Sequence, residues 1–219
     1  MSISVIITAG GVGKRMGLAL PKQFMQVKEK PLLMYTIERF YHYDPGLQLI
    51  VTLPGAWLNH WEDLIQEHEF RIPHRVVIGG EERYHSIKNA LDYCNGTYIA
   101  IHDGVRPLVS EETIRACFKA LKEYPAVIPV VPMKESIRQR TDTGSLSLDR
   151  SNYLTVQTPQ CFDAKVLRHA YERPYGPEVT DDACLVEANG FQVHLVNGNE
   201  ENIKITTPMD FSLAEHLLF

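Results

Sequence analysis

The chain has 219 residues and a formal net charge of −5. This length suits one α/β domain with a sizeable core, and the negative charge argues against a broad nucleic-acid surface. No apolar run is long enough to span a bilayer, and no basic segment precedes the first apolar run as it would in a signal peptide.

Apolar runs and amphipathic segments alternate along the chain. Short apolar runs predict buried strands at residues 4–8, 47–53, 74–78, 98–102 and 126–131. Helical periodicity predicts helices between and after them, at residues 31–43, 57–70, 82–94 and 111–124. This alternation indicates a Rossmann-like α/β fold, with a mostly parallel sheet and helices on both faces.

Helix boundaries are marked by short polar signals. Ser110 precedes two glutamates and is expected to cap the fourth helix. A further helix is expected to start at Thr180 and to stop at Gly190. Thr207 followed by Pro208 predicts the start of the last helix.

Residues 133–152 interrupt the alternation with a polar, turn-rich stretch. We interpret this stretch as a β-arm that protrudes from one domain covering residues 1–219. Four cysteines, Cys94, Cys117, Cys161 and Cys184, lie far apart without a C-x-x-C pair. Their spacing argues against a zinc site and a disulfide framework, and favours reduced thiols in a cytoplasmic protein.

The loop after the first strand, "TAGGVGKRMG", resembles a phosphate-binding turn but matches neither standard pattern. A P-loop would need glycine where Thr8 stands and serine or threonine where Arg15 stands. The dinucleotide pattern would need glycine at Met16. Glycines still let the backbone present N–H groups to an anion, and Arg15 and Lys22 lie in the same loop.

Other candidate residues follow later strands. In an open parallel sheet, ligands bind beyond the carboxyl ends of the strands, where "GGEERYHS", "DGVRP" and "PMKES" are expected and where "NIKITTP" could add Lys204. Asp103, at a strand end, could hold Mg²⁺ against a nucleotide phosphate, although a lone aspartate there is more often a turn residue. The convergence of glycine, lysine, arginine and aspartate at one edge favours a phosphate site.

Six segments together resemble the 2-C-methyl-D-erythritol 4-phosphate cytidylyltransferases nearly from end to end. They are "ITAGGVGKRMG" with "PKQF", "GGEERYHSIKNAL", "IHDGVRP", "DR" with "VQTPQCF", "TDDACLVE" and "NIKITTP". The resemblance implies transfer of a cytidylyl group from CTP to a polyol phosphate, methylerythritol phosphate, in the non-mevalonate route to isoprenoids. Ribitol-5-phosphate cytidylyltransferases share most of these segments and are the alternative.

The resemblance also implies residue roles. Arg15 and Lys22 match cations at the CTP α-phosphate, Asp103 matches the Mg²⁺ ligand, and Arg150 and Lys204 match residues that position the acceptor. The substrate-binding positions that it implies are Ala9, Gly10, Gly11, Gly13, Gly80, Glu81, Ser86, Arg106, Ser136, Thr158 and Thr180, of which Gly80, Glu81 and Ser86 would contact cytidine. Glu81 and Ser136 stand where the family often has aspartate and threonine.

The same resemblance implies a homodimer with shared active sites. The arm at residues 133–152, with Ser136, and the loop bearing Arg106 would reach the neighbouring subunit's site. A polar arm buries little apolar area alone, so packing against a second copy would give it a reason to fold.

Two other functional classes remain. An NAD-dependent oxidoreductase would need an acidic residue at a second strand end about 20 positions past the glycines, but that region has a helical pattern. A nucleotide-binding module without turnover would be expected to lack Lys22, Asp103 or Lys204, and all three are present.

Overall fold

A computed structural model gives the structure of the chain and describes residues 1–10 and 20–218. Within these residues the helices are α1 Leu32–Tyr43, α2 Leu58–Glu67, α3 Arg83–Leu91, α4 Glu111–Ala120, α5 Ala164–Ala170, α6 Asp182–Glu187 and α7 Pro208–Leu217. The strands are β1 Ile3–Thr8, β2 Gln26–Val27, β3 Lys30–Pro31, β4 Gln48–Leu53, β5 Arg75–Ile78, β6 Tyr98–Asp103, β7 Ala126–Pro132, β8 Ile137–Thr141, β9 Gly144–Leu148, β10 Leu154–Val156, β11 Gln160–Asp163 and β12 His194–Asn197.

The main sheet has the order β10-β7-β11-β6-β1-β4-β5, and β12 also pairs with β7. The four strands from β6 to β5 are parallel, as predicted. β11 runs antiparallel between β6 and β7, so β7 points the same way as β6 without touching it. The carboxyl ends of β1, β4, β5, β6 and β7 therefore lie at one edge of the sheet.

Alternating side chains of the strands bury two cores, one on each face of the sheet. Val5 and Ile7 of β1 pack with apolar residues of α1, α2 and α4, whereas Ile6 packs with those of α3, α5 and α6. Side chains alternate across a strand, so a continuous apolar run marks a strand buried on both faces. The predicted fold class is confirmed, including the helices on both faces.

The polar stretch at residues 133–152 forms a hairpin of β8 and β9, as the β-arm interpretation expected. The hairpin pairs residues 137–141 with residues 144–148, and its side chains are mostly exposed. β10 follows the arm and returns the chain to the edge of the main sheet beside β7.

Two predicted caps are confirmed and one is wrong. The Ser110 side chain accepts a hydrogen bond from the Thr113 N–H, and Thr207 forms a capping box with Asp210. The cap of α6 is Asp181, not Thr180, because the Asp181 carboxylate accepts the hydrogen bond from the Cys184 N–H. Thr180 precedes the cap and is exposed.

Among the described residues, no helix is both long enough and apolar enough to cross a membrane. All four cysteines are unpaired thiols, and Cys184 is the one among them that is not fully buried.

Candidate active site

The carboxylate of Asp103 lies at the carboxyl end of β6 with three cationic side chains around it. Its Oδ2 atom is 3.1 Å from Arg106 Nε and 3.1 Å from Lys204 Nζ. Its Oδ1 atom is 3.6 Å from Arg83 Nε. The Asp103 side chain is only 8% exposed, whereas Lys204 is 46% exposed and borders solvent. The predicted convergence of Asp103, Arg106 and Lys204 is therefore present.

These cations fix the ionisation state of Asp103. Burial alone would raise its pKa, but the nearby charges of Arg83, Lys204 and Arg106 lower the pKa of Asp103 well below its usual range. Asp103 is therefore a carboxylate at neutral pH. Its charge is more than matched by its neighbours, which leaves the edge attractive to anions.

A buried polar chain holds the turn from Asp103 to Arg106. The carbonyl of Arg106 can only accept, so His102 donates to it from Nε2 over 3.0 Å. His102 Nδ1 then accepts from the Thr158 hydroxyl at 2.9 Å, and the same hydroxyl oxygen accepts from the Asp103 N–H at 3.2 Å. Thr158, predicted as a substrate-binding residue, thus holds the backbone of Asp103.

Predicted nucleotide-binding residues meet near the ends of β1 and β5. The Ser86 hydroxyl accepts from the Gly80 N–H at 3.0 Å and donates to the Glu82 carbonyl at 3.1 Å. A Cβ on Gly10 would lie 2.9 Å from Ser86 Oγ, so glycine lets these two loops come together. The structure therefore brings Gly10, Gly80 and Ser86 into one place.

Ala9 connects this place to the segment that bears Lys22. The Gln23 side chain is buried and donates to the Ala9 carbonyl at 2.6 Å. Gln23 and Lys22 belong to a 3₁₀ turn at Lys22–Phe24. The backbone after β1 and the predicted cation Lys22 are thereby tied together.

Arg83 is a site residue that the sequence interpretation missed. Besides its contact with Asp103, its Nη2 atom lies 2.6 Å from Oδ2 of Asp182, which is 1% exposed. The available signal was the strand-end position of "GGEERYHS", but the partners of Arg83 are distant in sequence.

Several predicted residues lie apart from the Asp103 cluster. Ser136 and Arg150 are exposed on and beside the arm, where Arg150 donates to the Lys134 carbonyl. Glu81 and Thr180 are exposed. Gly11, Gly13 and Arg15 lie outside the described residues.

The loop of Arg106 makes its contacts within its own chain. Arg106 Nε donates to Asp103, and Nη1 donates to the Asn202 carbonyl at 2.7 Å. Its side chain is 12% exposed. Both contacts lie within its own chain, and whether this loop also borders a neighbouring subunit's site stays a prediction.

The donor set suits a metal ion that arrives with a nucleotide. Across residues 1–10 and 20–218, no group of three or more histidine, cysteine or acidic side chains could hold a metal ion. A single ionised carboxylate is nevertheless the kind of ligand that Mg²⁺ uses when substrate phosphates supply the others. Asp103 fits this description, because it is ionised and because Arg83 Nε forms only an ion pair with its Oδ1 atom, at 3.6 Å, which is longer than a hydrogen bond.

Comparison with known proteins identifies related chains over the full length. The family model for 2-C-methyl-D-erythritol 4-phosphate cytidylyltransferase matches residues 3–219. Proteins of that description from Bacteroides fragilis and Bacteroides thetaiotaomicron are each 49% identical over 219 residues, covering 100% of both chains.

Two solved structures share the fold. The crystal structure from Thermus thermophilus is 32% identical with a TM-score of 0.80, covering 99% of this chain and 98% of the other. A synthase structure from Anaerococcus prevotii, 4-diphosphocytidyl-2C-methyl-D-erythritol synthase, is 29% identical with a TM-score of 0.85, covering 99% of this chain and 96% of that chain.

Proposed function

The chain belongs to the 2-C-methyl-D-erythritol 4-phosphate cytidylyltransferase family, and from this premise we propose how its residues transfer the cytidylyl group of CTP to 2-C-methyl-D-erythritol 4-phosphate. A phosphate oxygen of the acceptor attacks the α-phosphorus of CTP, and the bond to pyrophosphate breaks. CDP-methylerythritol forms, a step of isoprenoid biosynthesis. The oxidoreductase alternative is wrong, because the family is one of nucleotidyltransferases.

The observation that carries the mechanism is the cationic cluster at Asp103. Two anions must meet, and their repulsion is the main obstacle to reaction. An opposite charge about 4 Å away contributes roughly 4 kcal/mol at an effective dielectric constant near 20. Three cations, Arg83, Arg106 and Lys204, face two carboxylates, those of Asp103 and Asp182. The excess positive charge can offset part of that repulsion. Catalysis then consists of positioning and electrostatic stabilisation.

The nucleophile needs no general base. The second pKa of a phosphate monoester is about 6, so its oxygens are largely ionised at neutral pH. His102, the histidine beside Asp103, is fully buried, and both of its ring nitrogens are hydrogen-bonded to other protein groups. Neither nitrogen is therefore accessible for proton exchange with substrate. The site is thus equipped to hold charge, and proton transfer is not required of it.

Nucleotide binding is assigned to the loops after β1 and β5. Gly10 and Gly80 both lie against Ser86, which supports a cytidine site there with Glu81 beside it. Ala9 and Lys22 adjoin this place through Gln23. Gly11, Gly13 and Arg15 complete the loop in our proposal, with Arg15 and Lys22 at the α-phosphate.

Asp103 would hold Mg²⁺ in this proposal. The ion would neutralise part of the triphosphate charge when bound. Lys204 and Arg106 both contact Oδ2 of Asp103 and would keep its carboxylate ionised and oriented.

The acceptor would be positioned by Lys204 together with Thr180, and by Ser136 and Arg150 of the arm. We propose that the arm at residues 133–152 is a dimerisation arm of a single nucleotidyltransferase domain, residues 1–219, and that it completes the neighbouring subunit's site. Its exposed polar side chains support this, since most of them are not covered by their own chain. A cytoplasmic location agrees with the four unpaired cysteines.

Pyrophosphate release from CTP tests the function directly. We expect release with 2-C-methyl-D-erythritol 4-phosphate and at most slow release with ribitol 5-phosphate at the same concentration. Each acceptor is compared with a reaction that has CTP alone. Equal release with both acceptors would contradict the acceptor assignment, and no release with either would indicate a nucleotide-binding module without turnover.

A further inference from the structure

Arg83 occupies a helix position that does not favour a cation. It is the first residue of α3, where the helix dipole destabilises positive charge, and the first turn holds no acidic side chain. The helix therefore gives no reason for an arginine here. The reason lies in its two partners, Asp103 at the end of β6 and Asp182 at the start of α6.

Asp182 is a fixed anchor. Its carboxylate is buried, and Oδ1 accepts from the Tyr171 hydroxyl at 2.6 Å. Its N–H donates to the Gln160 side chain at 3.0 Å. Tyr171 is held in turn by stacking on Tyr84, with ring centroids 4.8 Å apart. The side of Arg83 that faces α6 is therefore immobilised.

The other side of Arg83 faces Asp103 at the carboxyl end of β6. Arg106 and Lys204 share Oδ2 of Asp103, and Arg83 is the cation at Oδ1. Arg83 also lines a cavity of about 210 Å³ together with Thr180 and Asp182. The guanidinium thus lies between the carboxylate that would hold the metal and the turn that would bind the acceptor.

We propose that Arg83 is a positioning residue whose ion pairs with Asp103 and Asp182 link the end of β6 to the start of α6. Arg83 thereby sets the distance between Asp103 and Thr180, on either side of the proposed acceptor site. This inference rests on the proposed function. Arg83 acts through Asp103 and Asp182, because a planar guanidinium can contact two carboxylates at once, whereas a lysine ammonium is a single point charge. A displacement of about 1 Å can cost about 100-fold in rate.

Three variants test this role. Arg83→Gln leaves Asp182 buried without its cation, so the melting temperature should fall. Arg83→Gln with Asp182→Asn removes both charges, so the melting temperature should recover while kcat stays at least about tenfold below wild type. Arg83→Lys keeps the charge and should also lose at least about tenfold in kcat, with the KM for CTP within about threefold of wild type.

Arg115→Gln is the matched control, because Arg115 is exposed on α4 and pairs with Glu111 away from the site. It should keep wild-type kcat. Wild-type kcat in Arg83→Lys, or recovery of kcat along with the melting temperature in the double variant, would show that Arg83 only neutralises Asp182. An inactive wild type would overturn the proposed function and this inference together, whereas an active wild type with active variants would overturn the inference alone.

Discussion

The imidazole of His102 is fully buried between Thr158 and the Arg106 carbonyl, and burial lowers its pKa to about 4. The ordinary pKa of histidine, about 6.5, applies in the unfolded chain. Between these values the unfolded chain binds a proton that the folded chain does not. The free energy of unfolding should therefore fall as the pH falls from 6.5 towards 4.

We expect the titration of His102 to lower the free energy of unfolding of the wild type by about 2 kcal/mol when the pH falls from 7 to 5. His102→Gln removes the titrating group, so its stability should fall less over the same range. Urea unfolding of both proteins at the two pH values measures the difference. Parallel pH dependence of the two proteins would show that His102 titrates normally in the folded chain.

Asp103 should be essential for turnover. Asp103→Asn removes the charge that three cations share, and we expect kcat to fall by about 100-fold or more. EDTA should abolish wild-type activity if Asp103 holds a divalent ion. Asp163→Asn is the control, because Asp163 caps α5 and asparagine also caps helices. Full activity in chelator would contradict the metal role, and full activity in Asp103→Asn would make Asp103 a structural carboxylate.

Stability should also report the charge of Asp103. Its folded pKa is depressed, so its stabilising contribution is present above the unfolded value of about 3.9 and is lost as the pH falls through the folded value. The stability difference between wild type and Asp103→Asn should therefore be constant from pH 7 to about pH 5. It should shrink below about pH 4 in the same unfolding experiment.

The site residues that the sequence could identify follow strands directly. Asp103 and Arg106 were identifiable because a polar motif ended an apolar run, and chain direction alone placed it at the ligand edge. Arg83 was missed because its role depends on Asp182, which α6 brings to it from 99 residues away. A partner of that kind has no local signal in the sequence.

At the scale of elements, two neighbouring residues at the start of α6 have different expected roles: Asp181 stabilises the helix, and Thr180 would bind the acceptor. Asp181 caps the helix and also accepts from the Gln160 side chain, whereas Thr180 is exposed. We expect Asp181→Ala to lower the free energy of unfolding by about 1 kcal/mol. Thr180→Ala should change it by less than about 0.5 kcal/mol but raise the KM for methylerythritol phosphate. Unfolding and steady-state kinetics on both variants check this. Equal destabilisation by the two changes would show that Thr180 contributes to capping α6 as much as Asp181 does.

Strands with a clear apolar run were predictable, including the four-residue β5, whereas the short strands late in the chain were not. β1, β4, β6 and β7 each carry long apolar runs, so periodicity identifies them. β10, β11 and β12 have three or four residues, and their positions depend on pairing with β7. The helix α5 begins directly after β11 and has only seven residues, so its amphipathic pattern is too short to be distinctive in the sequence.

At the scale of the whole molecule, the arm is the feature that the single chain leaves unexplained. β8 and β9 pair only with each other within the described chain, and their side chains are mostly exposed. A two-stranded hairpin is at best marginally stable by itself in water. A second copy related by a two-fold axis would cover both arms in equivalent ways.

Subunit mixing tests whether the arm completes the neighbouring site. Lys22→Ala damages the site in its own chain, and Arg150→Ala should damage the site of the partner, so each homodimer is expected to be inactive. Random pairing after reversible dissociation makes about half of the dimers mixed, and each mixed dimer has one intact site in two. Pyrophosphate release should therefore recover to roughly a quarter of the wild-type rate. The control mixture is Lys22→Ala with Lys204→Ala, in which both changes act within their own chains and no mixed dimer has an intact site. If the first mixture forms mixed dimers and stays as inactive as the control, Arg150 serves its own chain, and the arm has a role other than completing the neighbour's site.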